Sequence, residues 1–321
     1  MKKILVTGCA GFIGFHFSSY LLTKKYKVFG VDNINSYYDV KLKKKRISIL
    51  KKNKNFNFRK IDLRNKKSLG IFFKKRKFDC IVHLAAQAGV RYSLIKPKNY
   101  LENNIDAYLN IIEIAKSNKI KKIIYASSSS VYGGIKSTKL SETKNTDNPL
   151  QLYAVTKKTN ELMSEAYKNL FNISFVGIRF FTVYGPWGRP DMALFKFTKN
   201  ILNNKKITVY NKGNHSRNFT YIDDAIKILY LIMKKKQKSK HEIFNIASPF
   251  NYSLMEYIQE IEKSLGRTAK KNYVGLQKGD IKNINSDITK SLKFTNFKKF
   301  TKIEKGIPRF ISWYKNHYNL N

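Results

Sequence analysis

Ile4-Leu5-Val6-Thr7-Gly8-Cys9-Ala10-Gly11-Phe12-Ile13-Gly14 is the stretch that decides the fold. A short apolar run feeds glycines at positions 8, 11 and 14, and residues 12–23 then carry the spacing of an amphipathic helix. A phosphate needs bare backbone N–H donors at a helix N-terminus and a chain that can approach closely. Glycines at this spacing permit the turn, the approach and the seating of the helix on its strand. A second apolar run, residues 28–31, ends in Asp32. A carboxylate there accepts hydrogen bonds from ribose hydroxyls and repels a 2′-phosphate, so the pattern points to a dinucleotide site that favours NAD over NADP. Asp62, after the third run, has two readings: an acceptor for an adenine amino group, or a cap on the strand's end.

Further apolar runs follow at 56–61, 80–86, 123–127, 175–180 and 243–246, with helical patterns at 40–52, 99–117 and 153–171. Continuous apolar runs suit strands buried on both faces. Their alternation with helices predicts an α/β fold, a Rossmann-type doubly wound parallel sheet of about seven strands. Past residue 180 the alternation weakens. Turn-rich strings such as Tyr184-Gly185-Pro186-Trp187-Gly188-Arg189-Pro190 and Asn211-Lys212-Gly213-Asn214 predict a smaller mixed C-terminal lobe. The expected division is an NAD-binding domain of residues 1–180 plus 218–250, and a substrate lobe of 181–217 plus 251–321 that caps the carboxyl edge of the sheet. Ligands of open parallel sheets sit beyond the carboxyl ends of the strands, so the residues just after each run are the candidates for chemistry.

Lys and Arg number 63 against 21 Asp and Glu, a formal net charge of +42 in 321 residues. Clustered cations of that order ordinarily suggest a polyanionic partner, because they release counterions from phosphates. Here the lysines lie in short runs, at 43–45, 51–54 and 234–236, spread along the whole chain without a basic tail or a nucleic-acid module. A solvated surface and no nucleic-acid partner are expected. Cys9 and Cys80 sit in glycine-turn and strand-like contexts without ligand or disulfide spacing, so they read as small core residues, and no metal site is expected. Glycines interrupt the first apolar run and no cleavage site follows it. No stretch reaches roughly 18 apolar residues, so neither a signal peptide nor a membrane span is expected, and the cytoplasm is the default location.

Tyr153 and Lys157 form a Tyr-x-x-x-Lys pair near the start of a predicted helix, a spacing that sets both on one face. The fifth run ends in Ser127-Ser128-Ser129-Ser130-Val131-Tyr132-Gly133, a series of hydroxyls at the edge where a substrate lies. Free tyrosine titrates near pH ~10, but an ammonium and a cationic nicotinamide ring nearby both favour phenolate. Tyr153 beside Lys157 and NAD is therefore a candidate acid/base for hydride chemistry on a hydroxyl group.

These residues, with His83-Leu84-Ala85-Ala86, Asn104, Asn110 and Arg179-Phe180-Phe181-Thr182-Val183-Tyr184-Gly185-Pro186, resemble the extended short-chain dehydrogenase/reductase family, in its NAD-dependent epimerase/dehydratase group. The resemblance covers essentially the whole chain. Gln87-Ala88-Gly89-Val90-Arg91-Tyr92-Ser93 and Gly188-Arg189-Pro190-Asp191-Met192-Ala193-Leu194-Phe195 narrow it to members that invert carbon 4 of UDP-glucuronate. It implies NAD contacts from Gly8, Gly11, Phe12, Ile13 and Gly14, and from Asp32 with Asn33 and Asp62 with Leu63. Further contacts are implied from Leu84, Ala85, Ala86 and Gln87, and from Asn104, Ser127 and Phe180, besides Tyr153 and Lys157.

By the same resemblance, Tyr153 takes the proton of the sugar 4-hydroxyl, Ser128 bonds that oxygen, and Lys157 also holds the nicotinamide ribose. The choice of serine stays open by one position. The bound 4-keto sugar rotates about its pyrophosphate and takes the hydride back on its other face, so NAD is retained. Related enzymes that eliminate water or lose CO2 carry an acidic residue just before Val-Tyr-Gly, where this chain has Ser129 and Ser130. Those serines and Thr182 are expected to restrain a uronate carboxylate. Arg217 falls at the family's diphosphate arginine and Asp280 at its uridine-ribose acceptor, while Gln277 stands where some relatives have a second arginine. Arg91 and Arg189 are read either as anion contacts or as surface ion pairs. Tyr210 borders the uracil or is an ordinary strand residue.

The implied activity is conversion of UDP-glucuronate to UDP-galacturonate for surface polysaccharide. A UDP-glucose or UDP-N-acetylhexosamine 4-epimerase is the alternative, and a non-catalytic dinucleotide- or RNA-binding protein of the same fold is a second. Relatives commonly pair through helices at 99–117 and 153–171, so a homodimer is expected.

Overall fold

The computed structural model describes residues 1–74, 76–135, 139–276 and 283–320. Seven strands build the main sheet: β1 (Lys3–Thr7), β2 (Lys27–Asp32), β3 (Phe56–Lys60), β4 (Cys80–His83), β5 (Lys122–Ser128), β6 (Ser174–Phe180) and β7 (His241–Ile246). Their order is β7-β6-β5-β4-β1-β2-β3. β1 pairs in parallel with β2 and β4, β2 with β3, β4 with β5, and β5 with β6. This is the doubly wound arrangement the alternation predicts. The order turns back between β1 and β4, and ligands of such sheets bind beyond the carboxyl ends of the strands at that switch point. β4 is buried throughout, as a central parallel strand must be, whereas the edge strand β3 exposes Arg59 and Lys60, charges that discourage pairing with another chain.

The helices around it are α1 (Phe12–Thr23), α2 (Val40–Lys51), α3 (Lys66–Phe73), α4 (Ala107–Ser117) and α5 (Leu152–Leu170). Leu5, Val31, Ile81 and Ile123 of the sheet pack with Phe72 and Phe73 of α3 and with Ile111 and Ile112 of α4 in one core. Three elements differ from the sequence expectation. α1 exposes only Thr23, so it is covered on most of its surface rather than amphipathic, because Phe12, Phe15, Phe17, Leu21 and Leu22 surround its axis. The 80–86 run stops as a strand at His83, because the next amides turn aside to Thr7: Leu84 N donates to its carbonyl at 3.2 Å and Ala85 N to its hydroxyl at 3.2 Å. The 99–117 helix opens with a π-helical turn, Leu101–Asp106, before α4 begins. α3 was not anticipated. It is eight residues long, holds Gly70, and starts where the Asn65 side chain accepts from Ser68 N.

The described residues pack as two compact units. The first holds residues 1–74, 76–135, Asn145–Phe180 and Leu229–Phe244. The second holds residues 139–144, Phe181–Ile228, 245–276 and 283–320. Residues 218–228 and 245–250, expected in the first domain, thus pack in the second unit. Buried asparagines tie them there. Asn218 donates to the carbonyls of Ser248 and Phe250 and accepts from Ser286 N, and Asn245 donates to those of Leu140 and Asp287. The second unit is mixed. Helices Ala193–Leu202, Leu254–Leu265 and Ile303–Tyr318 accompany short strand pairs, such as Ile207–Val209 with Lys271–Tyr273. Cys9 and Cys80 are buried free thiols. Among the described residues no helix is long and apolar enough to cross a membrane, and no cluster of His, Cys, Asp and Glu suits a metal ion.

Candidate active site

The glycine turn after β1 is built so that side chains have no room. Gly8 has φ +70°, and a Cβ there would stand 2.7 Å from Ala85 N. A Cβ on Gly14 would stand 2.0 Å from the Gly8 carbonyl oxygen. Gly11 caps α1 with backbone alone, and the first turn of α1 carries no acidic residue, so its N–H groups meet no competing anion from their own helix. Asp32, at the end of β2, braces the turn: Ala10 N donates to Oδ2 at 3.0 Å and Ile34 N to Oδ1 at 2.8 Å. Burial pushes its carboxyl up, and the Ile34 amide, Lys43, the Ala10 amide and Arg46 oppose that rise.

Those two cations were not anticipated from the sequence. Arg46 is fully buried and donates to the Ala10 carbonyl at 2.7 Å and to Tyr38 Oη at 2.8 Å. Lys43 Nζ donates to the carbonyl and side-chain oxygens of Asn35, both at 2.7 Å. The available signal was positional, since 43, 46, 47 and 50 recur on the inward face of α2.

Asp62 is held by Arg64, which donates from Nε at 3.0 Å and Nη2 at 2.8 Å and also reaches Glu102 at 2.7 Å. The Arg64 guanidinium keeps the Asp62 carboxyl below its ordinary range. Asn33 donates to the same carboxylate at 3.4 Å, and Arg64 N closes the turn on it at 3.0 Å, so Asp62 caps the loop after β3. The Leu63 carbonyl accepts from Asn110 Nδ2 at 2.9 Å. Beyond β4 lie Leu84, Ala85, Ala86 and Gln87. Asn104, carried inward by the π-turn, clamps Gln87: Oδ1 accepts from Gln87 N at 2.7 Å, and Nδ2 donates to Gln87 O at 3.1 Å and to Thr156 at 3.0 Å. Both amide hydrogens of Asn104 are spent on the protein, so it shapes the loop after β4. Arg91 is exposed at the start of a short helix, Tyr92–Ile95.

Tyr153 lies in the first turn of α5, half-buried, its ring edge-on to Tyr100 at 6.1 Å. Tyr100 is pinned by its hydroxyl to the carbonyls of Ala88 and Gly89. Lys157, one turn on, is buried and donates to the Ala126 carbonyl of β5 at 2.8 Å. Burial pulls its pKa down to about 8, with Glu161 opposing. Ser127 donates to Glu161 Oε1 at 2.6 Å, away from the open end of the strand. Ser128 caps the turn Ser129–Tyr132, accepting from Ser130 N and donating to Ser130 Oγ, both at 3.1 Å, and stands beside Phe180 in register. His83 meets Thr7 Oγ1 at 2.9 Å, and burial drops its pKa to about 3, so it is neutral at working pH.

Residues of the second unit form their own arrangement. Thr182 is half-buried and its carbonyl accepts from Thr220 N at 2.8 Å. Arg189 grips Asp191 through Nε at 2.9 Å and Nη2 at 2.5 Å, the ion pair that was one of its two readings. Tyr210 opens a 3-10 turn just after the strand Ile207–Val209. Arg217, on the strand Ser216–Arg217, donates to the Ser216 carbonyl at 2.8 Å. Asp280 and Gln277 lie outside the described residues.

Residues 4–247 match the model of the NAD dependent epimerase/dehydratase family. The chain belongs to that family. Family members similar to it over nearly full length include Protein CapI of Staphylococcus aureus, 44% identical over 98% of this chain and 99% of that one. A UDP-glucuronate 4-epimerase of Thermodesulfobacterium geofontis is 40% identical, covering 100% of this chain and 98% of that one. The crystal structure of UDP-glucuronic acid 4-epimerase from Bacillus cereus in complex with UDP-glucuronic acid and NAD superposes with a TM-score of 0.91 at 35% identity, over 98% of this chain and 100% of that one. The cofactor of the epimerase/dehydratase family suits the first unit: a cradle that a Cβ would fill, a helix end with no side-chain cap and a carboxylate at the tip of β2.

Proposed function

We propose that this chain inverts carbon 4 of UDP-glucuronate, giving UDP-galacturonate, with tightly held NAD. The observation that carries the reading is the join of α5 to β5. Lys157 is sunk against Ala126, Tyr153 stands one turn before it, and the hydroxyl of Ser128 lies at the end of the adjoining strand. Relatives that act on UDP-glucuronate at 40% identity support the choice of sugar.

In this reading Gly8, Gly11, Phe12, Ile13 and Gly14 hold the pyrophosphate of NAD and Asp32 its adenosine ribose. NAD supplies the hydride acceptor and donor at the sugar's carbon 4. Tyr153 removes the proton of the 4-hydroxyl, Ser128 donates to the same oxygen, and the Lys157 ammonium favours the phenolate. The 4-keto sugar turns over about its pyrophosphate, and Tyr153 returns the proton to the opposite configuration. Ser129, Ser130 and Thr182 hold the uronate carboxylate, which restrains a β-keto acid from losing CO2. Arg217 and Asp280 bind the diphosphate and the uridine ribose. The product would feed surface polysaccharide synthesis in the cytoplasm.

A homodimer through α5 and the helix at 101–117 belongs to the same proposal. Leu101, Val155 and Leu162 on those helices are exposed apolar side chains. Light scattering should give twice the mass of one chain, and Val155→Glu with Leu162→Glu should halve it. A monomer at micromolar concentration would remove the dimer.

The function itself is tested by incubating the purified protein, without added NAD, with UDP-glucuronate and separately with UDP-glucose, and resolving products by NMR. UDP-galacturonate alone is expected. UDP-galactose would favour the neutral-sugar alternative, and no product from either would overturn the reading.

A further inference from the structure

The carboxylate of Glu161 and the guanidinium of Arg179 are 4% and 3% exposed. They pair twice, Nε to Oε1 at 2.8 Å and Nη2 to Oε2 at 2.7 Å. Each partner also reaches one end of the hydroxyl run. Glu161 accepts from Ser127 at 2.6 Å, and Arg179 donates to Tyr132 Oη at 2.8 Å and lies over the Tyr132 ring at 4.7 Å. Residues 128–131 are thus bracketed by a single ion pair. Glu161 also stands four residues after Lys157 on α5, and these two side chains hold adjacent residues of β5, Ser127 and Ala126. A buried ion pair adds little stability over apolar side chains of similar volume, so packing alone does not account for charge here.

We infer that Glu161 is a positioning residue, which, clasped by Arg179, sets the orientation of the hydroxyl run after β5 and the charge balance at Lys157. The inference rests on the proposed function, in which Lys157 serves Tyr153. The ionisable groups facing the pair are Tyr125 of β5, Tyr132 and His241 of β7, while His83 of β4 faces Lys157 and Tyr108 of α4 packs on His83 and Tyr125. His83 is neutral, burial raises Tyr108 and Tyr125, and burial lowers His241, whose Nδ1 meets Glu165 beside Lys168. Glu161, Arg179 and Lys157 remain as the buried charges, one net positive. Loss of the Glu161 charge makes the Lys157 proton leave more easily, because that charge opposes the lowering by burial.

The test is the pH dependence of kcat with UDP-glucuronate. Glu161→Gln should move both limbs of the bell to lower pH, the alkaline limb by about one unit or more, with KM and retained NAD near wild type. Glu161→Asp keeps the charge and should keep the bell while lowering kcat. An active Glu161→Gln enzyme whose bell overlies the wild type would overturn the inference. Should Glu161→Gln fail to fold, Ser127→Ala decides, because it leaves the ion pair and severs only the tether: a kcat roughly tenfold lower at unchanged KM is expected, and wild-type kcat would overturn it. A wild-type protein inert on both UDP-glucuronate and UDP-glucose would bring down the proposed function and this inference together, whereas an active wild type with an unmoved bell brings down the inference alone.

Discussion

At the scale of single residues, the proposed chemistry rests on a tyrosine and a lysine with different surroundings. Tyr153 is half-buried at a helix start, whereas Lys157 is sunk in the protein with its ammonium on a backbone carbonyl. Replacing Tyr153 with Phe should leave NAD bound and lower turnover by roughly 10² to 10⁴, the range for losing a positioned acid/base; near-normal turnover would refute the assignment. Lys157 has a folded pKa of about 8, below the ordinary 10.5. Its ammonium is present below about pH 8 and is lost above, so kcat should fall as pH rises through that value. Stability runs the other way. Between about 8 and 10.5 the unfolded chain holds a proton that the folded one has released, so this residue's contribution to stability rises with pH across that window. A rate profile rising steadily to pH ~10 would count against Lys157 as the charged partner of Tyr153. The pair was legible in the sequence because four residues make one helical turn. The clasp of Glu161 by Arg179 was not, because those two residues lie 18 apart on different elements.

At the scale of elements, the turn between β1 and α1 works by what is missing from it. Gly14→Ala would push a methyl to 2.0 Å from the Gly8 carbonyl, so the helix must slide off its strand. The cost should be about 1–3 kcal/mol, typical of overpacking, seen as a lowered melting temperature together with loss of co-purified NAD. A variant with wild-type melting and full NAD content would mean that the turn yields at no cost. Another element, the π-turn Leu101–Asp106, needed the tertiary structure to be seen. Asn104, expected to contact the cofactor, also bonds Gln87 and Thr156 through its amide from a π-turn that no residue pattern announced. α3 went unseen for a related reason, since eight residues around Gly70 are too few for periodicity to speak.

At the scale of the whole molecule, a net charge of +42 repels itself. The Debye length shrinks from ~30 Å to ~8 Å between 0.01 M and 0.15 M salt, so added NaCl over that range should raise the melting temperature. A flat or falling response in far-UV circular dichroism would show that the charges are already well dispersed or paired. The sequence by itself determined the layered α/β plan, the dinucleotide turn, Asp32 and the spacing of Tyr153 with Lys157, because each is written in local terms: a run of apolar residues, a glycine interval, one turn of helix. Only the tertiary structure decided that residues 218–228 and 245–250 pack in the second unit, that Ser127 turns to Glu161 while Ser128 caps the next turn, and that Arg46 ties to Ala10 and Lys43 to Asn35. Those outcomes depend on where buried polar groups find partners. Such groups must be satisfied by whatever residue the fold brings near, however distant in the chain.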